Sequence, residues 1–226
     1  MTRHISVAID GPSGAGKSTL ARAAAKELGF VYVDTGAIYR TAALYVLRRG
    51  ADPGDGAAVA GLLPEIGITM DYDGAGIQRM VLNGEDVTGL IRSQEVSMAT
   101  SKISAHPAVR AFLLDMQRDM ARRYSVIMDG RDIGTVVLPE AEVKIFLTAS
   151  SEARARRRWK ELAEKGQARD FEQLLRETLE RDANDMNRAA APLRPAEGAV
   201  TLDTTELTFE ESQRHILDII RERAGL

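Results

Sequence analysis

A strand that runs straight into a glycine loop and out into a helix is what most limits how this chain can fold. Residues 5–19 read ISVAIDGPSGAGKST. Gly11, Gly16, Lys17 and Ser18 satisfy G-x4-G-K-[ST], preceded by an apolar strand and followed by a helical pattern, the context that gives this motif its meaning. Across Gly11, Pro12, Ser13, Gly14, Ala15, Gly16, Lys17, Ser18 and Thr19 the backbone N–H groups can turn inward around the β- and γ-phosphates of a nucleoside triphosphate. The helix N-terminus adds its partial positive charge. Lys17 places a point charge between transferring and leaving phosphates, and Ser18 offers a hydroxyl to Mg²⁺.

The following residues repeat the unit. Leu20, Ala24 and Leu28 share a helix face that Gly29 ends, FVYV (30–33) reads as a second strand, and a second helix starts near Thr35. Strand, helix, strand, helix is the signature of a parallel sheet with helical crossovers. Between residues 51 and 96 the rhythm changes to glycine-rich turns and short alternating runs, with a tight-turn signal at Asn83–Gly84 and a DGAG turn at 73–76. This predicts an inserted antiparallel meander. A helix follows Pro107, with Val109, Phe112, Leu113, Met116 and Met120 at helical spacing. YSVIMD (124–129) and VKIFL (143–147) return to buried strands, and a basic helix covers 152–165. Another helix starts at Asp170 with Gln173 in a capping-box position, AVTLD (199–203) is the last strand, and Thr208 and Glu211 cap a closing helix with Phe209, Ile216, Leu217 and Ile220 on its apolar face. The expected division is a core of 1–50 and 97–226, carrying a lid at about 152–169, and an insertion at 51–96.

Composition narrows the classes. With 226 residues, 44% apolar and 28% charged, the chain suits one α/β domain with insertions. It has no cysteine for disulfides or thiolate metal sites, and His4, His106 and His215 lack ligand-like spacing. No opening leader pattern and no long apolar run is present, so a cytoplasmic location without membrane association is expected. A net charge of −3 argues against a stable nucleic-acid partner, so anionic substrates must be held by local arginine clusters. No guanine-reading N/T-K-x-D appears, and the strand ending at Asp129 continues as Gly–Arg rather than into a second acidic residue, which removes the switch GTPases and motor ATPases.

The acceptor side separates the remaining kinases. A hydroxyl acceptor needs a carboxylate base. A phosphate monoester, with its second pKa of about 6, is already an oxyanion, and its difficulty is charge repulsion, which arginine relieves. Arg40 follows the second strand by one helical turn, Arg131 lies just past SVIMD, and Arg154, Arg156, Arg157 and Arg158 crowd one helix. Arg181, Asp185 and Arg188 share one helix face. Since ligands of open parallel sheets sit beyond the strands' carboxyl ends, Thr35, Arg40, Asp129, Arg131 and Asp132 are expected to converge.

In order along the chain, GPSGAGKST, DTGAIYR, SQEV, DGRDIGT, VKIFLTAS, ERDANDMNRAAAPL and LDTT resemble bacterial-type cytidylate kinases over essentially the whole length. The resemblance implies an α/β P-loop three-layer fold with a central parallel sheet, an inserted antiparallel monophosphate-binding subdomain and a helical lid. It implies transfer of the ATP γ-phosphoryl group to CMP, and to dCMP, with Mg²⁺ bound alongside ATP. Nothing in the sequence demands a partner subunit, so a monomer is expected. By matching position, Thr35, Tyr39, Arg40, Ser101, Arg110, Arg131, Asp132, Arg181, Asp185 and Arg188 would line the CMP site. Asp132 would accept from the cytosine amine, Arg131 and Ser101 would bond the ring's acceptors, Arg181 with Asp185 would take the sugar, and Arg40, Arg110 and Arg188 the phosphate. Catalytic roles fall to Lys17, Arg131 and the lid arginines Arg154, Arg157 and Arg158, among which the sequence does not choose. Ser18, Asp34 and Asp129 are the residues nearest in kind to a metal role. For Asp34 this stands beside helix N-terminal support, and for Asp129 beside a strand-end cap. Thr35 stands where the family often has serine, and Ser18 where some members have glycine; both keep the chemistry. The alternatives are a kinase of another nucleoside monophosphate or metabolite alcohol, with Asp34 as its base, and a non-catalytic nucleotide-binding protein gripping RNA through the basic helix.

Overall fold

The computed structural model describes residues 4–74 and 76–226, so Ala75 of the DGAG turn lies outside the described residues. In chain order the elements are β1 (Ser6–Asp10), α1 (Lys17–Leu28), β2 (Val31–Asp34), α2 (Thr35–Arg48), α3 (Gly56–Leu62), β3 (Ile68–Tyr72), β4 (Gln78–Leu82) and β5 (Glu85–Asp86). Then come α4 (Gln94–Ile103), α5 (Pro107–Arg123), β6 (Val126–Gly130), β7 (Val143–Thr148), α6 (Ser151–Glu164), α7 (Phe171–Asn187), β8 (Val200–Asp203) and α8 (Phe209–Ala224). The chain forms two compact units, one of residues up to Tyr32 with Tyr124–Leu226 and one of Val33–Arg123. The segment 51–96 lies within the second.

The first unit holds β6, β1, β7, β8 and the first two residues of β2, in a five-stranded sheet ordered β2-β6-β1-β7-β8. β1 pairs in parallel with β6 and β7, and β7 with β8. The central strand is buried because both neighbours hydrogen-bond to it and helices cover it, which is why SVAID reads as an apolar run rather than an alternation. Val7, Ile9, Ile127, Ile145 and Leu147 pack with Leu20, Ala21 and Ala24 of α1 and with Ile216, Leu217 and Ile220 of α8. Phe209 does not join them. It is 43% exposed, and the buried stripe of α8 reaches back only to Ser212. The helix still starts where its caps dictate, with Thr208 and Glu211 forming a reciprocal capping box. Register matters for function here, since Ile9 lies opposite Asp129 and Asp10 opposite Gly130. The loop after β1 and the segment after β6 therefore leave the sheet level with one another.

The second unit carries the antiparallel meander β3-β4-β5. Met70 pairs with Met80, and Asn83 and Gly84 turn with φ of 49° and 88°, the two positive values that a tight hairpin needs. Two helices appear that the sequence pattern did not predict. α3 is short, with only Val59 buried, and α4 buries Val96, Ala99 and Ile103 on an otherwise polar helix. α5 buries Val109, Leu113 and Gln117, whereas Phe112 is exposed and Met116 and Met120 are half-buried. Its inner stripe therefore repeats at steps of four through Gln117, which satisfies itself on the Leu113 carbonyl at 2.9 Å.

Candidate active site

In the first unit the phosphate loop is held by its neighbours as much as by its own glycines. Gly11 has φ 149°, and a Cβ there would fall 1.9 Å from the Leu147 carbonyl oxygen of β7, so no other residue fits. Gly14 (φ 77°) leans on α6, where a Cβ would meet Arg154 Cβ at 3.3 Å. Gly16, left-handed at φ 90°, caps α1. Lys17 is 5% exposed and donates to the Pro12 carbonyl at 2.7 Å. Burial first, then the Arg131 charge, push its pKa well below the ordinary lysine value, against the pull of Asp129, Asp10 and Asp185.

Ser18, the next residue, donates its hydroxyl to Asp129 Oδ2 at 2.8 Å, and the Tyr32 hydroxyl donates to Asp129 Oδ1 at the same distance. Asp129 thus holds the Ser18 hydroxyl while the buried Tyr32 holds Asp129. Among the described residues no group of three or more His, Asp or Glu forms a cage of its own. The Ser18 hydroxyl held by the Asp129 carboxylate is a hard oxygen donor of the kind that would suit Mg²⁺.

Past β6 the segment DGRDIGT joins α7. Arg131 Nε donates to Asp185 Oδ2 at 2.8 Å, and Arg131 Nη1 donates to the Gly130 carbonyl at 3.2 Å. Arg188 Nη2 donates to Asp132 Oδ1 at 3.4 Å, and its Nε to the Ala191 carbonyl at 2.6 Å. Burial alone would raise the Asp185 pKa, but Arg131, by charge and hydrogen bond, with Arg181 and Arg188 outweighs it, and the carboxyl sits below its usual range. Arg131, Asp132, Arg181, Asp185 and Arg188 are thereby one electrostatic group in the first unit.

The basic helix α6 divides its arginines. Arg154 is 3% exposed; it donates from Nε to the Ala149 carbonyl (2.9 Å), from Nη1 to the Ser13 carbonyl (3.0 Å) and to Asp182 Oδ1 (3.0 Å), and from Nη2 to Ser151 Oγ (2.9 Å) and Asp182 Oδ2 (2.5 Å). All three nitrogens are engaged, so it braces the phosphate loop against α7. Arg157 donates to the Thr204 carbonyl at 2.5 Å, and Arg158 pairs with Glu161 at the surface. Trp159 is 40% exposed and donates to the Arg169 carbonyl at 3.0 Å.

The second unit holds its own group. Asp34 caps α2, with Oδ1 accepting from Ala37 N at 2.8 Å, while Oδ2 takes Arg40 at 2.8 Å and Arg92 at 3.6 Å. Of its two expected roles, helix N-terminal support is the one these bonds display. Gln78 of β4 bonds the Asp34 backbone at both N and O. Arg40 Nε is a buried donor with no acceptor among the described residues. Thr35 is buried in the first turn of α2, and Arg110 lies over the Tyr39 ring at 5.8 Å and reaches the Ser104 carbonyl at 3.4 Å. Ser101 is on α4, one turn before Ser104, whose hydroxyl donates to the Ser101 carbonyl at 3.0 Å.

Four participants escaped the sequence reading. Asp182 had a signal, since it lies three residues before Asp185 on the same face of α7. Tyr32, Arg92 and Gln78 had none, because their partners are distant in sequence.

The cytidylate kinase family model matches residues 7–222. A cytidylate kinase of Pelotomaculum thermopropionicum is 50% identical over 100% of this chain and 99% of its own. One from Mycobacterium leprae is 49% identical over 98% and 97%, and one from Mannheimia succiniciproducens 48% identical over the whole of both chains. With a P-loop, a parallel core sheet and full-length similarity of this order, the chain belongs to the cytidylate kinase family.

Proposed function

We propose that this protein is an ATP-dependent nucleoside monophosphate kinase that transfers the γ-phosphoryl group of ATP to CMP, and to dCMP, giving ADP and CDP or dCDP. Family membership across residues 7–222 carries the reading, because that span includes both the phosphate loop and the arginine group around Asp185.

The residues divide the work by chemistry. The loop from Gly11 to Thr19 binds the ATP phosphates, with Lys17 moving from the Pro12 carbonyl onto the transferring group. Mg²⁺ would be held by the nucleotide and Ser18, oriented through Asp129, and would supply charge neutralisation between the β- and γ-phosphates. Asp132 accepts from the cytosine amine, and Arg131 and Ser101 bond the ring acceptors. Uracil, with donor and acceptor exchanged, would leave buried groups unpaired there. Arg181 and Asp185 take the sugar, with Thr35 and Tyr39 supporting the nucleotide. Arg40, Arg110 and Arg188 neutralise the acceptor phosphate, and the orphaned Nε of Arg40 supports that assignment. No base is required, since the attacking oxygen is already ionised. Arg157 and Arg158 are the lid arginines assigned to the transferring phosphoryl, while Arg154 keeps the loop in shape. The segment 51–96 serves as the monophosphate-binding insertion. The protein works as a cytoplasmic monomer; among the described residues no helix is long and apolar enough to cross a membrane.

The test is ADP release from ATP–Mg²⁺ against CMP, dCMP, UMP, AMP, GMP and dTMP, with a no-acceptor control. Fast turnover with CMP, weak turnover with UMP and almost none without acceptor supports the reading. Acceptor-independent hydrolysis, or silence across the panel, overturns it.

A further inference from the structure

Asp10 enters the site above only through its charge on Lys17, yet it is 3% exposed at the end of the central strand. Its Oδ1 accepts from Ile133 N at 2.7 Å and its Oδ2 from Gly134 N at 2.7 Å. These two N–H groups open a single π-helical turn, Ile133–Val137. The opening donors of a helical turn have no acceptor within it. Here the later ones, from Val136 and Val137, already reach back to the Asp132 carbonyl. Asp10 therefore supplies one oxygen to each of two consecutive amides across more than 120 residues of sequence.

The amides it holds immediately follow Arg131 and Asp132. Those two side chains are gripped from the other direction by Asp185 and Arg188 of the α7 region. Gly134 is matched to the arrangement, since a Cβ there would lie 3.1 Å from Ala196 Cβ and 3.4 Å from Asp10 Oδ2. Burial lifts the Asp10 pKa to about 6 against the lowering effect of its two amide bonds, so an ionised group is retained where it is costly. A neutral asparagine of the same shape has only one acceptor oxygen and would turn an N–H toward an N–H.

We infer that Asp10 is a positioning residue for nucleobase discrimination. By clamping the Ile133 and Gly134 amides it fixes the main chain that aims Arg131 and Asp132, and it does so from the residue directly preceding the phosphate loop. This inference rests on the proposed CMP kinase activity.

The clamp can be loosened from either side, with Asp10→Asn and with Gly134→Ala. Steady-state kinetics with CMP and with UMP at saturating ATP–Mg²⁺ would be paired with calorimetric Kd measurement for a non-hydrolysable ATP analogue. The expected result in each folded variant is a KM for CMP raised about tenfold and a CMP-over-UMP ratio of kcat/KM lowered about tenfold, with analogue Kd within about threefold of the parent. An unchanged ratio, or CMP and ATP binding weakened equally, would overturn the inference by reducing Asp10 to a packing role. So would unfolding of both variants by circular dichroism. A parent enzyme with no preference for CMP overturns the proposed function and the clamp together, whereas a preference that survives in the variants overturns the clamp alone.

Discussion

Arg131 Nε donates to Asp185 Oδ2 at 2.8 Å across 54 residues of sequence, with side-chain exposures of only 21% and 11%. The pair ties the segment after β6 to α7, and it leaves the Arg131 Nη2 group unused by either of its protein bonds. An arginine so oriented is a rigid fork rather than a mobile arm. Asp185→Ala is expected to raise the KM for CMP at least about tenfold and to leave ATP affinity near the parent's, as the cost falls on the half-buried guanidinium. Separate titrations of the two nucleotides check this.

Arg154 and Asp182 have the other strong pairing on α7, and through the Ser13 carbonyl it reaches the phosphate loop. Arg154→Met leaves Asp182 unpaired and removes the loop's brace. A loss of about 3 kcal/mol, or about 6–12 °C in Tm for a chain of this size, is expected together with weaker ATP binding. Calorimetric melting with and without nucleotide measures both. A variant that melts like the parent and only loses kcat would instead place Arg154 at the transferring phosphoryl.

Lys17→Met is expected to lower kcat by at least about 10²-fold while Tm stays equal or rises. Lysine buried at this position has its folded pKa depressed, so the folded state releases the proton before the unfolded chain does. Stability from this group therefore rises with pH towards the ordinary lysine value, and removing the buried cation removes the penalty at neutral pH. A Tm that falls sharply would contradict it.

Asp10 gives the opposite sign. Its folded pKa of about 6 lies above the ordinary 3.8, so the native state takes up a proton first and this group's contribution improves as pH falls through 6. Relative to Asp10→Asn, the parent should gain about 1 kcal/mol of unfolding free energy between pH 7 and pH 5. Urea titrations of both proteins at the two pH values read that difference directly.

Magnesium dependence separates Ser18 from Asp34. Ser18→Ala should raise the Mg²⁺ concentration for half-maximal rate about tenfold, because it removes the hydroxyl that Asp129 orients. Asp34→Asn should leave that concentration unchanged and raise the KM for CMP, since its carboxylate holds Arg40 and Arg92. A shift in Mg²⁺ dependence in the Asp34 variant would assign it to the metal instead.

Much of the fold was legible because its signals are local. The phosphate loop, the Gly29 stop, the Asn83–Gly84 turn and the Thr208–Glu211 capping box each depend on residues within a few positions of one another. Those short-range rules are set by backbone geometry and depend less on distant packing than a side chain's burial does. α3 and α4 were not legible, because a short glycine-flanked run and a polar helix with three inward residues carry little periodic signal. Helical spacing includes Phe112 and the apolar face of α8 includes Phe209, but only the packing neighbours decide how far a buried stripe extends.

For the site, sequence determined the chemical inventory: a phosphate cradle with Lys17 and Ser18, and the arginines and carboxylates that follow the core strands and line the last helices. Tertiary structure decided which of them are partners. It put Arg154 in hydrogen bonds with Ser13 and Asp182, Asp34 in bonds with Ala37 N and Arg40, and Asp10 in bonds with the Ile133 and Gly134 amides. The reason is physical. A charged side chain's role is set by its burial and by which opposite charge or N–H lies within about 3 Å, and the parallel sheet brings those groups together from more than a hundred residues apart.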